Sequence, residues 1–230
     1  MGGIYLISIL IMGVSWYVSY TMQRRMKEYS QIPIGLTGKQ IAEKMLRDNG
    51  IFDVQVISVP GALTDHYNPA DKTVNLSDWV YAQSNVAAAA VAAHECGHAV
   101  QHNTAYSWLT MRSKLVPAVQ ISSRYVQWLI LGGLAVLMFT KGTVPWVLLV
   151  GIILFSLTTL FSFITLPVEF DASARALKWL DTTRILQPEQ HEKATNALKW
   201  AASTYVVAAL GSLVTLLYYI SIFTGARRRD

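Results

Sequence analysis

Four apolar runs, about Ile4–Tyr20, Tyr125–Thr140, Val144–Leu166 and Thr204–Phe223, constrain this chain more than any other feature. Each approaches or reaches the roughly 17–25 residues an α-helix needs to cross the hydrocarbon core of a bilayer, where every backbone N–H and C=O must be satisfied within the segment. The second run is the shortest, and the stretch upstream from Leu115 can lengthen it. Composition agrees: 53% of the 230 residues are apolar and only 14% are charged. The mean hydropathy of +0.34 exceeds what a soluble domain of this length needs to bury. The sequence therefore predicts an α-helical membrane protein with four transmembrane helices and a small α+β unit built from the polar segments.

This divides the chain into a first transmembrane helix in 1–22, a polar segment in 23–124 and a helix pair in 125–166. A second polar segment follows in 167–203, and a last helix with a basic tail in 204–230. The first run lacks a basic leader and continues directly into Gln23-Arg24-Arg25-Met26-Lys27, which reads as a retained anchor rather than a cleaved signal. Four crossings put the polar segments on one side, with 15 of the 19 Lys and Arg; Lys141 and Arg227–Arg229 are on the other. The positive-inside rule then turns the polar segments toward the cytoplasm, although the terminal Arg triplet argues the other way. The net charge of +5 does not imply nucleic acid, because the cations flank apolar runs rather than forming an aromatic-interleaved face. The one cysteine, Cys96, excludes an intrachain disulfide and fits a reducing compartment.

Within the polar segments, Thr37-Gly38-Lys39-Gln40 has the form of a capping box opening a helix through Arg47, with Asn49-Gly50 as its stop. Phe52–Val59 reads as a strand ended by Pro60-Gly61, and Leu63–Tyr67 with Lys72–Leu76 as a hairpin across Asn68-Pro69-Ala70-Asp71. Ser77 then caps a single helix from about Asp78 to Asn103. A polar helix is expected over Ala172–Leu180, and Pro188 opens the last helix.

The chemistry lies in His94-Glu95-Cys96-Gly97-His98, an H-E-x-x-H pattern in the later half of the expected helix. Residues four apart project from one helix face, so both imidazoles can meet one zinc ion, while Glu95, about 100° round, can reach a water beside it as general base. Cys96 points away and reads as packing. A catalytic zinc site takes a third protein ligand and keeps a fourth position open. His66, His102, His191, Glu169 and the aspartates are candidates. His102 lies eight residues from His94, about 12 Å along a straight helix, too far to share a metal with it. His191, among Gln and Glu residues, reads as solvated. Glu169, in Leu166-Pro167-Val168-Glu169-Phe170-Asp171, is the stronger choice, because a carboxylate so close to an apolar run is costly unless it is paired or bound to metal. A helix N-terminus also favours acidic residues, so the pattern alone leaves both readings.

At these residues the chain resembles the YugP-type bacterial membrane zinc metallopeptidases, a gluzincin-like family. The likeness runs through Leu63-Thr64-Asp65-His66-Tyr67-Asn68-Pro69, Val74-Asn75-Leu76-Ser77, His94 to His102 and Pro167-Val168-Glu169-Phe170-Asp171-Ala172-Ser173, with four spans in similar positions. It implies a gluzincin-like catalytic unit in a bacterial plasma membrane, one Zn²⁺ per chain and an endopeptidase with Glu169 as third ligand. Many gluzincins carry an aspartate four residues after that glutamate to orient a zinc histidine. Position 173 is serine here, which leaves the role to Asp171, Ser173 or Asp65. The resemblance also implies an edge strand that holds the substrate backbone, which falls on Lys72–Leu76. His66 or Tyr67 could stabilise an oxyanion, and His102 could sit behind the ligands.

Because Glu169 follows the third run by three residues, the expected substrates are membrane proteins or peptides close to the bilayer. A second copy of the chain or a membrane adaptor is a conceivable further partner. Two rivals remain: an intramembrane protease of the site-2 type, which should carry a Leu-Asp-Gly absent here, and a non-catalytic scaffold whose metal is closed by a fourth ligand such as His66.

Overall fold

The chain order is α1 (Gly2–Tyr29), α2 (Gly38–Asp48), β1 (Gln55–Val59), β2 (His66–Asn68), β3 (Thr73–Ser77), α3 (Asp78–Ala82), α4 (Val86–Asn103), α5 (Ser107–Phe139), α6 (Trp146–Thr183) and α7 (Pro188–Arg227). A computed structural model gives this architecture, describing the backbone of residues 2–227 and the side chains of 6–225. The arginines 228 and 229 of the basic tail weighed above lie outside these residues, as does the side chain of 227. Four helices, over Leu6–Tyr29, Ser107–Phe139, Trp146–Thr183 and Pro188–Gly225, are long and apolar enough to cross a membrane.

One unit comprises residues 1–15, 111–166 and 205–230. Ile130, Leu148 and Ile152 are buried there against residues that include Leu216 and Tyr219. A β-carbon on Gly133 would come 2.5 Å from the Leu148 Cα, so only glycine allows α5 and α6 to approach this closely. Ser122 Oγ donates to the Leu154 carbonyl at 2.7 Å between the same helices.

The other unit comprises residues 16–110 and 167–204. Its core gathers Ile41, Met45 and Leu46 of α2, Val74 and Leu76 of β3, the alanine run of α4 and Ala176, Leu180, Ala194 and Ala197 of α6 and α7. Thr37 and Gln40 form the expected reciprocal capping box on α2, and Gly50, at φ 70°, follows its end. Pro188, whose missing N–H is no loss at a helix start, opens α7 as expected.

Four expectations are corrected. The strand expected from Phe52 begins at Gln55, and the hairpin strands run over His66–Asn68 and Thr73–Ser77. The sheet order is β1-β3-β2, β1 parallel and β2 antiparallel to β3, so Lys72–Leu76 falls on the central strand and not on an edge. The helix expected over Asp78–Asn103 is two helices. Asn85 caps α4 by accepting from Ala88 N at 2.8 Å, and the break is pinned from afar by Ile34 N to Ser84 O and Val86 N to Ile32 O. Finally, α6 continues through Pro167, joining the expected third span to the expected helix over Ala172–Leu180. Proline there forfeits one intrahelical bond, while Val168, Ala172 and Ala176, all fully buried, hold the helix on course.

Candidate metal centre

The alanine run Ala87–Ala93 lets α4 sit deep in the core, and the turns that follow carry His94, Glu95 and His98. Across from them α6 carries Glu169, with 3% of its surface exposed. Gly97 controls the separation: a β-carbon there would lie 2.5 Å from the Ala172 carbonyl oxygen, so any side chain would push α6 off α4.

Ligand atoms of His94, His98 and Glu169 all lie within 4.8 Å of one another, and this is the one such group of three or more among the described residues. Glu169 Oε2 stands 3.3 Å from His94 Nε2 and 3.6 Å from His98 Nε2. Two ligands at about 2.05 Å from zinc and a tetrahedral angle apart are separated by about 3.3 Å, so the donor set and its spacing fit that ion. The two imidazoles meet edge to face, 4.8 Å between centroids, with both Nε2 atoms turned to the carboxylate. Burial disfavours the charged form of His98, but the Glu169 and Glu95 carboxylates outweigh it and hold the pKa above the ordinary histidine value.

Behind the ligands, Ser173 Oγ lies 3.1 Å from His94 Nδ1. Gln101, fully buried one turn beyond His98, places Oε1 3.0 Å from His98 Nδ1. Its Nε2 donates to Asp171 Oδ2 at 2.8 Å and to the Val168 carbonyl at 2.7 Å, and Arg175 Nε donates to the same Asp171 oxygen at 2.6 Å. Of the three residues weighed for this position, Ser173 touches a histidine directly, Asp171 reaches one through Gln101, and Asp65 is elsewhere. Its carboxylate accepts from Ser77 N at 2.7 Å and from Ser77 Oγ, tying the β2 entry to the β3–α3 junction.

Glu95, 8% exposed, accepts a hydrogen bond from the Tyr67 backbone N–H at 3.0 Å. Tyr67 lies in β2, an edge of the sheet, and this N–H faces outward from it. The Tyr67 hydroxyl meets His102 Nδ1 at 2.8 Å, which keeps His102 away from the three ligands. His66 is exposed, with Nδ1 2.8 Å from the Thr64 carbonyl, and does not join them either. His191 is half-buried, not simply solvated: its Nε2 lies 3.1 Å from the Leu177 carbonyl. Cys96 is fully buried against α2, with Sγ 3.5 Å from the Ala42 carbonyl, and burial pushes its thiol pKa well up.

Sequence reasoning overlooked Gln101 and Gly97. A metal histidine is usually matched to a carboxylate or carbonyl partner, and the signal for Gln101 was its place three residues after His98 on the same face. Gly97 sits at one of the two variable positions of the motif, which carry no chemical signal.

The profile of a protein family described as "Putative neutral zinc metallopeptidase" matches residues 4–224. The chain is also 38% identical over 223 residues to the "Putative membrane protease YugP" of Bacillus subtilis (strain 168), covering 96% of each chain. No solved structure matches it.

Proposed function

We propose that the chain, which belongs to this zinc metallopeptidase family, is a membrane-embedded, zinc-dependent endopeptidase hydrolysing peptide bonds of membrane or membrane-proximal proteins. The observation that carries the reading is the convergence of His94, His98 and Glu169 from two helices, with the Glu95 carboxylate on the adjoining face of α4. His94 and His98, with their Nε2 atoms turned to the Glu169 carboxylate, would hold the ion together with that carboxylate. The zinc, when bound, supplies Lewis acidity that acidifies a water and polarises the scissile carbonyl.

The remaining work falls to the protein. Glu95 accepts the proton of the attacking water and returns it to the leaving amine. The Tyr67 N–H fixes one carboxylate oxygen and leaves the other for that proton. The β2 edge, His66–Asn68, takes over the substrate-holding part first expected of Lys72–Leu76, beside the Tyr67 N–H that Glu95 engages.

Among the described residues the group has three protein donors rather than four, which supports an open, catalytic site over a structural one. His66, the residue considered as a fourth ligand, is engaged by Thr64 instead. The helix bearing the motif is packed among α2, β3 and the end of α6, which favours this reading over an intramembrane protease with the motif inside a span. Glu169 follows the apolar run ending at Leu166 by three residues, which supports substrates close to the bilayer. The Lys and Arg distribution supports a cytoplasmic site in the bacterial plasma membrane.

The test is hydrolysis of a model membrane protein by the purified chain and by Glu95→Gln. Wild type should bind zinc and cleave, and the variant should bind zinc with cleavage reduced by at least about 100-fold, the scale of general-base loss. Equal cleavage by both would refute the mechanism.

A further inference from the structure

The amide of Gln101 is buried completely, yet all of its polar atoms are used. Its Nε2 meets two acceptors, the Val168 carbonyl and the Asp171 carboxylate. Turning the amide over would set its oxygen against both of them, so the orientation is locked with Nε2 toward α6. Oε1 must then face His98, and because it is only an acceptor, His98 Nδ1 must carry the proton. The lone pair of His98 is thereby committed to Nε2, the atom aimed at Glu169.

The same side chain touches both arms of the centre. Val168, whose carbonyl it binds, immediately precedes Glu169, and Asp171 follows two residues later. Arg175, one turn on, holds the Asp171 carboxylate and lies with its guanidinium over the Tyr106 ring, 5.6 Å from the centroid. A single amide thus fixes the tautomer of the α4 ligand and the height of the α6 backbone that presents the carboxylate.

We propose that Gln101 is the positioning residue of the centre, setting the tautomer of His98 and the register of Glu169 together, with Asp171 and Arg175 holding the amide in place. This rests on the reading of His94, His98 and Glu169 as metal ligands. It assigns no chemistry to Gln101 itself, which acts through His98.

Two measurements on the full-length chain in detergent test it. Gln101→Leu, close in length and fitting an apolar surround, should weaken zinc binding 10–100-fold in chelator competition, the usual effect of losing a ligand's orienting partner. The metal-free melting temperature should change by only a few degrees. Unchanged zinc affinity would overturn the proposal. Should the variant fail to fold, ¹⁵N spectra of the histidine-labelled, metal-free wild type at alkaline pH give the answer directly, with His98→Gln assigning the signal. A proton on Nδ1 supports the proposal, and a proton on Nε2 overturns it. Failure of the wild type to bind zinc would overturn the ligand reading on which the proposal rests, whereas the tautomer, read without metal, tests the part of Gln101 separately.

Discussion

At the scale of single residues, the site depends on what each side chain excludes as much as on what it binds. Gly97 excludes everything but hydrogen: with the Ala172 carbonyl 2.5 Å from where a β-carbon would stand, Gly97→Ala should cost about 1–3 kcal/mol of stability and weaken zinc binding as α6 is pushed away. Thermal melting and chelator competition measure the two effects. Ser173→Ala removes the hydroxyl at His94 Nδ1 and should lower zinc affinity about 10-fold or more while leaving the fold intact, read by the same competition. Cys96, buried and with its thiol pKa raised, should resist thiol reagents until the chain is denatured, when one group reacts. At this scale the sequence was most legible where chemistry needs rare residues at fixed spacing. His94, Glu95 and His98 stand out in that way, and Glu169 only through its place just beyond an apolar run. Gln101 did not, because an amide three positions after a histidine is common on helices, and only the two acceptors on α6 give it a function.

At the scale of elements, local signals were readable and distant ones were not. The capping box at Thr37 and the helix start at Pro188 are written within a few residues, and both formed as expected. The break between α3 and α4 is not, since Gln83-Ser84-Asn85 contains neither glycine nor proline and is held open by bonds to the chain at residues 32–34. The cap of α4 should therefore matter: Asn85→Ala should destabilise the chain by about 1 kcal/mol, measured by denaturant or thermal unfolding, with Asn85→Asp losing much less. The sheet order was equally hidden, because β1 pairs with β3 across the intervening β2. That order makes β2, His66–Asn68, an edge strand, with its Tyr67 N–H on Glu95. Pro167 misled in the other direction. The apolar run and the polar helix over Ala172–Leu180 read as separate elements on its two sides, but buried small and branched residues after it keep α6 intact through Glu169.

For the whole molecule, the apolar runs were plain in the sequence because the bilayer allows few solutions, and four helices of membrane-spanning length and apolarity are present. Their orientation is a matter of charge. Gln31→Cys, at an exposed position after α1, should stay unlabelled by an impermeant maleimide in intact cells and react once the membrane is opened. Labelling of intact cells would put the polar segments outside. The central claim, that this family member holds a catalytic zinc between α4 and α6, is tested most directly by anomalous diffraction at the zinc edge. A single peak about 2.0–2.2 Å from His94 Nε2, His98 Nε2 and a Glu169 oxygen, with no fourth protein ligand, is the predicted result. A peak lacking Glu169, or closed by a fourth side chain, would contradict it.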